Sequence, residues 1–230
     1  MNRKPRCLWL TGWSADETVW EPVIERLPEA EHQILSFHNK FPDVEEIYRR
    51  IRMFAPFMLI GWSMGAMLAL QYAAAYSRQV TEICAVGGTS QFIRQRRDLR
   101  VLERMMREVA RNPERVLREF DQRLFTVAEE KRSDAECPKL RRHQPEPVAL
   151  LAGLRYLKGY SIMEQAYRLE LPVHLLSGAK DQICPVEGAE ALHRLLPRSD
   201  LTVWPDAGHA PFLCQPDRFV AWMKERCSFD

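Results

Sequence analysis

Phe57-Met58-Leu59-Ile60-Gly61-Trp62-Ser63-Met64-Gly65-Ala66 is the stretch that decides the fold. An apolar run too short for a helix meets Gly-x-Ser-x-Gly, and an Ala-rich helical pattern, Met64 to Tyr76, follows directly. A serine at such a strand-to-helix turn is held in a strained conformation with its hydroxyl projecting above the sheet. Glycine two residues to either side lets strand and helix approach closely. The Met64 N–H lies at a helix amino terminus, where it can face an oxygen that becomes negative. Ser63 is therefore a candidate nucleophile. A plain glycine turn is the alternative, and the flanking strand and helix speak against it.

Outward from this turn, short apolar runs alternate with helical patterns. Arg6 to Leu10, Gln33 to Phe37, Phe57 to Ile60, Ile83 to Val86, Val173 to Leu176 and Leu201 to Trp204 read as buried strands. Val44 to Phe54, Met64 to Tyr76, Val186 to Leu196 and Asp217 to Arg226 read as helices. Such alternation predicts a mostly parallel sheet of about six strands covered on both faces. The alternation fails once, over 91–169, where only helical patterns occur; Asn112-Pro113 opens one of them. That block is too long for a crossover and reads as a helical lid inserted into a core of 1–90 and 170–230.

A serine needs a base. Of six histidines, only His209 follows the last strand, in Pro205-Asp206-Ala207-Gly208-His209-Ala210-Pro211-Phe212. Catalytic groups of open α/β sheets gather at the carboxyl ends of strands. The orienting acid should fall between Ser and His, and Asp181 lies just past the penultimate strand in Ser177-Gly178-Ala179-Lys180-Asp181. Asp206 is the rival, three residues before His209, where shaping the loop suits it better. The loop Leu10-Thr11-Gly12-Trp13 offers the Trp13 N–H as a second oxyanion donor beside Met64.

With these segments in place the chain resembles the α/β-hydrolase family throughout. Within it the resemblance leans toward the pimeloyl-acyl-carrier-protein methyl ester esterases of biotin synthesis. It rests on Thr11-Gly12-Trp13 with Trp20, on Gly61 to Gly65, on Phe92 soon after Gly88-Thr89-Ser90, and on Gly208-His209-Ala210-Pro211-Phe212. It implies a triad of Ser63, Asp181 and His209, an oxyanion hole of the Trp13 and Met64 amides, and no cofactor. The substrate would be an acyl ester presented on an acyl carrier protein, its chain lying against Trp62, Phe92 and Phe125. Two departures stand out: Thr11 replaces the family's usual His, and the family's opening β-hairpin is missing.

Charge is uneven. The net charge of +2 gives no reason to expect nucleic acid. Yet Arg94 to Arg142 carries fifteen Lys/Arg against ten Asp/Glu. Arg97, Arg100, Arg104, Arg107 and Arg111 fall on one helix stripe, opposite Leu99, Leu102, Met106 and Val109. The basic stripe is either a solvated face, with Glu103 and Glu108 pairing Arg104, Arg107 or Arg111, or a docking face for the carrier protein, with Arg100, Arg104 and Arg107 at its centre. The apolar stripe can face the pocket.

The six cysteines, Cys7, Cys84, Cys137, Cys184, Cys214 and Cys227, are widely scattered with no CxxC pair, which predicts reduced apolar side chains rather than disulfides or metal ligands. No apolar run is long enough for a membrane helix, and the basic start lacks the apolar region of a signal peptide, so a cytoplasmic location without membrane partners is expected. Three other functions fit the same pattern: a general small-acyl carboxylesterase or thioesterase, another reaction on the same fold such as that of an aminopeptidase or lyase, and a non-catalytic binding protein.

Overall fold

Six strands form one sheet in the computed structural model, which describes residues 4–132, 140–227 and 229. They are β1 (Arg6–Leu10), β2 (Glu31–Leu35), β3 (Phe57–Trp62), β4 (Val80–Val86), β5 (Val173–Gly178) and β6 (Ser199–Trp204). Their order is β2-β1-β3-β4-β5-β6 and every pairing is parallel. The helices are α1 (Glu21–Ile24), α2 (Val44–Arg52), α3 (Met64–Tyr76), α4 (Arg96–Arg111), α5 (Pro113–Asp121), α6 (Val127–Arg132), α7 (Pro147–Gly159), α8 (Val186–Leu195), α9 (Pro211–Cys214) and α10 (Pro216–Arg226). Among the described residues no helix is long and apolar enough to cross a membrane.

Alternate residues of each central strand feed opposite layers, as the pleat requires. Leu8, Leu10 and Leu59 pack with α2 and α3, whereas Trp9, Met58, Ile60 and Trp62 pack with Trp20, Phe212, Phe219 and Trp222 on the other face. Every residue of β3 is buried, so it reads as a continuous apolar run. The chain turns from β1 to β2 on one side and crosses to β3 on the other. Divergence at that point opens a crevice at the carboxyl ends of β1 and β3. The register, Leu10 beside Gly61, sets the loop after β1 next to Ser63.

β2 starts two residues before the apolar run suggests. At the sheet edge its limits follow its pairing with β1, Arg6 to Glu31 through Leu10 to Leu35, and Phe37 enters the core as loop. Between β4 and β5 the described residues hold α4 to α7 and no strand, only an isolated antiparallel bridge between Gln91 and Ser161. Around that bridge the Ile162 N–H donates to the Ser90 carbonyl (2.9 Å) and Tyr160 Oη–H to the Thr89 carbonyl (3.0 Å). Outgoing and returning chain are thus stitched together at the neck, which lets so long an insertion leave the β4–β5 pairing intact.

Candidate active site

Ser63 sits between β3 and α3 at φ 56°, ψ −118°. A side chain other than glycine is disfavoured there, so the surrounding structure must hold it in place. Its N–H donates to the Val86 carbonyl (2.8 Å), and its carbonyl accepts the first helical bond, from Met67 (3.1 Å). The tightness of the turn explains its glycines. A Cβ on Gly61 would come 2.6 Å from the Ala66 nitrogen, and one on Gly65 would collide with the Leu10 carbonyl. Ser63 is 4% exposed.

Among the described residues the Trp13 and Met64 N–H groups have no acceptor. Their side chains are fixed from above by α7: Trp13 Nε1–H donates to the Leu150 carbonyl (2.9 Å), and a Cβ on Gly153 would strike Trp13 (2.8 Å) and crowd Met64 Sδ (3.3 Å). Thr11, where the resemblance leads one to expect His, is fully buried with Oγ1 unpartnered. The loop is secured instead through its backbone, the Thr11 N–H donating to the Leu35 carbonyl (3.2 Å).

Asp181 and His209 follow β5 and β6. One Asp181 oxygen accepts the Ile183 and Cys184 N–H groups (2.8 Å each), while the other stands 2.6 Å from His209 Nδ1. Both side chains are fully buried. With Nδ1–H donating to the carboxylate, Nε2 is the ring's acceptor nitrogen. Nε2 is buried and makes no hydrogen bond, to Ser63 or to any other described group. Hydrogen bonds of this kind are often long without substrate and tighten in the reacting complex. Asp206 instead pairs with Arg218 (3.2 Å) on the outer side of the loop.

Three supports of His209 give no catalytic signal in the sequence. Gly87, at φ 59°, lies against the imidazole edge, where a Cβ would come 3.0 Å from Cε1. The Leu124 carbonyl accepts the His209 N–H (2.7 Å). Buried Glu129 accepts the Gly208 N–H (3.0 Å) and the Thr126 N–H (2.7 Å). Thr126-Val127-Ala128-Glu129 has the spacing of a helix-capping box, but nothing local reveals that the same carboxylate reaches a loop in the distant part of the chain. Trp62 adds a fourth support, its Nε1–H donating to the His209 carbonyl (2.8 Å).

That contact corrects the expected pocket. Trp62, Phe92 and Phe125 do not converge. Trp62 is sealed in the core against His209 and Phe212. Phe92 lines a cavity of about 230 Å³ with Val101, Leu102, Met105, Phe120 and Ile183, and Arg94, Arg97 and Arg123 are also on its wall. Phe125 lines a separate concavity with Val127 and Lys180. Trp62 points away because odd and even residues of β3 serve opposite faces, and its parity puts it under the histidine loop.

The arginine stripe of α4 is exposed along its length, at Arg97, Arg100, Arg104, Arg107 and Arg111. Its acidic neighbours are engaged elsewhere: Glu103 pairs with Lys158 of α7 (2.8 Å) and Glu108 with Arg115 of α5. The expected pairing of these acids within the stripe does not occur, because α5 and α7 pack on α4 and bring their own cations. Those five arginines make no ion pair among the described residues. The opposite side buries Leu102 and Val109 and leaves Leu99 and Met106 half-buried. Of these four, only Leu102 reaches the cavity wall, joined there by Val101 and Met105. Of the cysteines, Cys137 lies outside the described residues, and none of the other five is in a disulfide among the described residues.

Comparison with known proteins identifies the family and the fold. Residues 43–216 match the family model for the alpha/beta hydrolase fold, and the chain belongs to that family. Full-length relatives narrow the comparison. Proteins of Nitrosomonas europaea (29% identical, over 94% of this chain and 93% of the relative) and Vibrio vulnificus (27%, 94% and 91%) are both named pimeloyl-[acyl-carrier protein] methyl ester esterase. Among solved structures, the enol-lactonase of Burkholderia xenovorans superposes with a TM-score of 0.84 at 14% identity, covering 97% of this chain and 91% of its own. The Exiguobacterium antarcticum esterase gives 0.79 at 17%, with coverage of 98% and 92%.

Proposed function

We propose that the chain is a serine carboxylesterase that hydrolyses the methyl ester of a pimeloyl chain carried on an acyl carrier protein. The observations that carry the reading are the buried Asp181–His209 pair, whose acceptor nitrogen is unused, and a serine held at positive φ on the strand-to-helix turn at the same end of the sheet. His209 takes the Ser63 proton as Oγ attacks the ester carbonyl, and Asp181 stabilises the imidazolium without becoming protonated. The oxyanion is received by the Trp13 and Met64 N–H groups. Methanol leaves with the proton from His209, and an acyl-enzyme remains. Water, deprotonated by the same nitrogen, then releases the acid and restores Ser63. The names of the full-length relatives supply the substrate.

Residues 91–169 act as the lid. Ser63 and His209 are 4% and 1% exposed, and a shift of these helices would widen the way in for substrate. The unpaired arginines of α4, centred on Arg100, Arg104 and Arg107, receive the acidic carrier and its phosphate-bearing arm, for which the planar guanidinium fork is suited.

The test has two arms. A fluorophosphonate should label Ser63, and Ser63→Ala should lose turnover by roughly five to six orders of magnitude. No labelling, with ligand binding intact, would leave a non-catalytic receptor. Methyl-pimeloyl carrier protein should be turned over with higher kcat/KM than p-nitrophenyl butyrate; the reverse order would leave a general esterase. Rescue of a biotin-requiring strain lacking its own esterase would place the activity in the cell.

A further inference from the structure

At the opposite, amino-terminal end of the sheet, three ligand-type side chains from distant parts of the chain meet. Glu82 lies early in β4, His174 early in β5, and Cys227 just after α10. One donor atom from each lies within 4.8 Å of the other two, and all three residues are buried. His174 Nδ1 is 2.6 Å from an Asp200 oxygen of β6, and Nε2, which makes no hydrogen bond, is 3.4 Å from Glu82 Oε2. Cys84 adds a second thiol, hydrogen-bonded to Cys227.

We infer that Glu82, His174 and Cys227 form a binding site for a divalent transition-metal ion of the zinc type. Imidazole nitrogen, thiolate sulfur and carboxylate oxygen are the donor set that zinc takes. A tetrahedron with metal–nitrogen and metal–oxygen bonds of about 2.0–2.1 Å has edges of about 3.3 Å, close to the Nε2-to-Oε2 distance of 3.4 Å. Cys227 Sγ is the third donor, and solvent would complete the fourth position. Asp200 supplies the outer support that metal-bound histidines ordinarily have: a carboxylate on the far nitrogen fixes the ring and turns the other lone pair toward the ion. Glu82 also lines a surface concavity with Pro56, Thr81 and Pro172, the side from which an ion would enter. Cys227 supplies the sulfur, because its Sγ lies within 4.8 Å of the Glu82 and His174 donor atoms. The ion would tie the end of α10 to β4 and β5, at the opposite end of the strands from Ser63.

Cobalt(II) is the probe, because its bond to thiolate absorbs strongly in the near ultraviolet. Full-length protein, stripped with chelator and kept in a thiol-free reductant, should develop that charge-transfer band, saturating at one equivalent. Zinc should then abolish the band and raise Tm. Cys227→Ser should lose the band, and His174→Asn should weaken cobalt binding at least ten-fold, with folding of each checked by circular dichroism. Should the histidine variant not fold, Cys227→Ser alone decides. No band in the parent protein, or an undiminished band in Cys227→Ser, overturns the proposal and leaves His174 as a proton-bearing bridge between Glu82 and Asp200.

Discussion

The protein contains two histidine–aspartate pairs with nearly the same local geometry, at opposite ends of the same two strands. His209 and Asp181 follow β6 and β5; His174 and Asp200 lie near the starts of β5 and β6. In each pair Nδ1 is 2.6 Å from a carboxylate oxygen, and in each Nε2 makes no hydrogen bond. What differs is the company. At the carboxyl end, Gly87 lies at the ring edge, and Val86 just before it accepts the N–H of the strained Ser63. At the amino end Nε2 faces Glu82 and Cys227. There burial opposes a charge on His174, yet the Glu82 and Asp200 carboxylates on either side of the ring prevail and raise its pKa to about 9. A His–Asp pair is thus a component whose use is set by whatever stands beyond the free nitrogen: a nucleophile makes it a base, while carboxylate and thiol make it a cation or a metal ligand.

Mutations can break or sharpen this contrast, and the largest effect belongs to the carboxyl-end pair. Asp181→Asn keeps an oxygen for the Ile183 and Cys184 N–H groups but loses the carboxylate that orients His209. Single-turnover kinetics should show kcat reduced about 10⁴-fold. A variant retaining a tenth of the parent rate would make this pair as structural as its counterpart. The matching change, Asp200→Asn, should weaken cobalt binding by roughly 10- to 100-fold, read by titration. Its effect on ester turnover should be far smaller than that of Asp181→Asn.

Smaller effects test the supports of His209. Gly87→Ala places a methyl 3.0 Å from the imidazole edge at φ 59°, so the ring or the loop must yield. A fall of about 10-fold in kcat with KM little changed is expected, on the scale of a catalytic group displaced by less than 1 Å. Glu129→Ala leaves the Gly208 and Thr126 N–H groups without their acceptor, at a cost of about 1–3 kcal/mol each where water cannot replace it. Turnover of small and carrier-bound esters should fall in equal proportion, whereas unequal losses would mean that Glu129 acts on the substrate rather than on the histidine loop. Smallest of all, replacing Arg100, Arg104 and Arg107 together by Ala should raise KM for the carrier-bound ester by roughly three- to ten-fold at low salt and leave p-nitrophenyl butyrate untouched. An unchanged KM would return the stripe to a solvated face.

The candidate site at the carboxyl end of the sheet was legible for a physical reason. Gly-x-Ser-x-Gly between a strand and a helix is a local constraint, since the turn forms only with glycines at those positions, and it displays itself in neighbouring residues. Asp181 and His209 could be chosen because strand ends mark one edge of a parallel sheet, and chain order leaves few candidates there. The parallel sheet followed from alternating apolar runs, and the inserted helices from the failure of that alternation. β2 was misplaced by two residues because an edge strand takes its limits from its partner rather than from its own apolar run.

The sequence by itself determined the fold family, the strained serine turn and the pair of residues best placed to serve it, because each depends on local backbone chemistry or on order along the chain. Only the tertiary structure decided that Trp62 braces His209 instead of lining a pocket. It alone showed Glu129 reaching across from the inserted helices, the acids of α4 serving α5 and α7, and Glu82, His174 and Cys227 meeting. Those outcomes depend on which side chains share a space after folding, and residues separated by fifty or ninety positions leave no spacing pattern by which their meeting could be read.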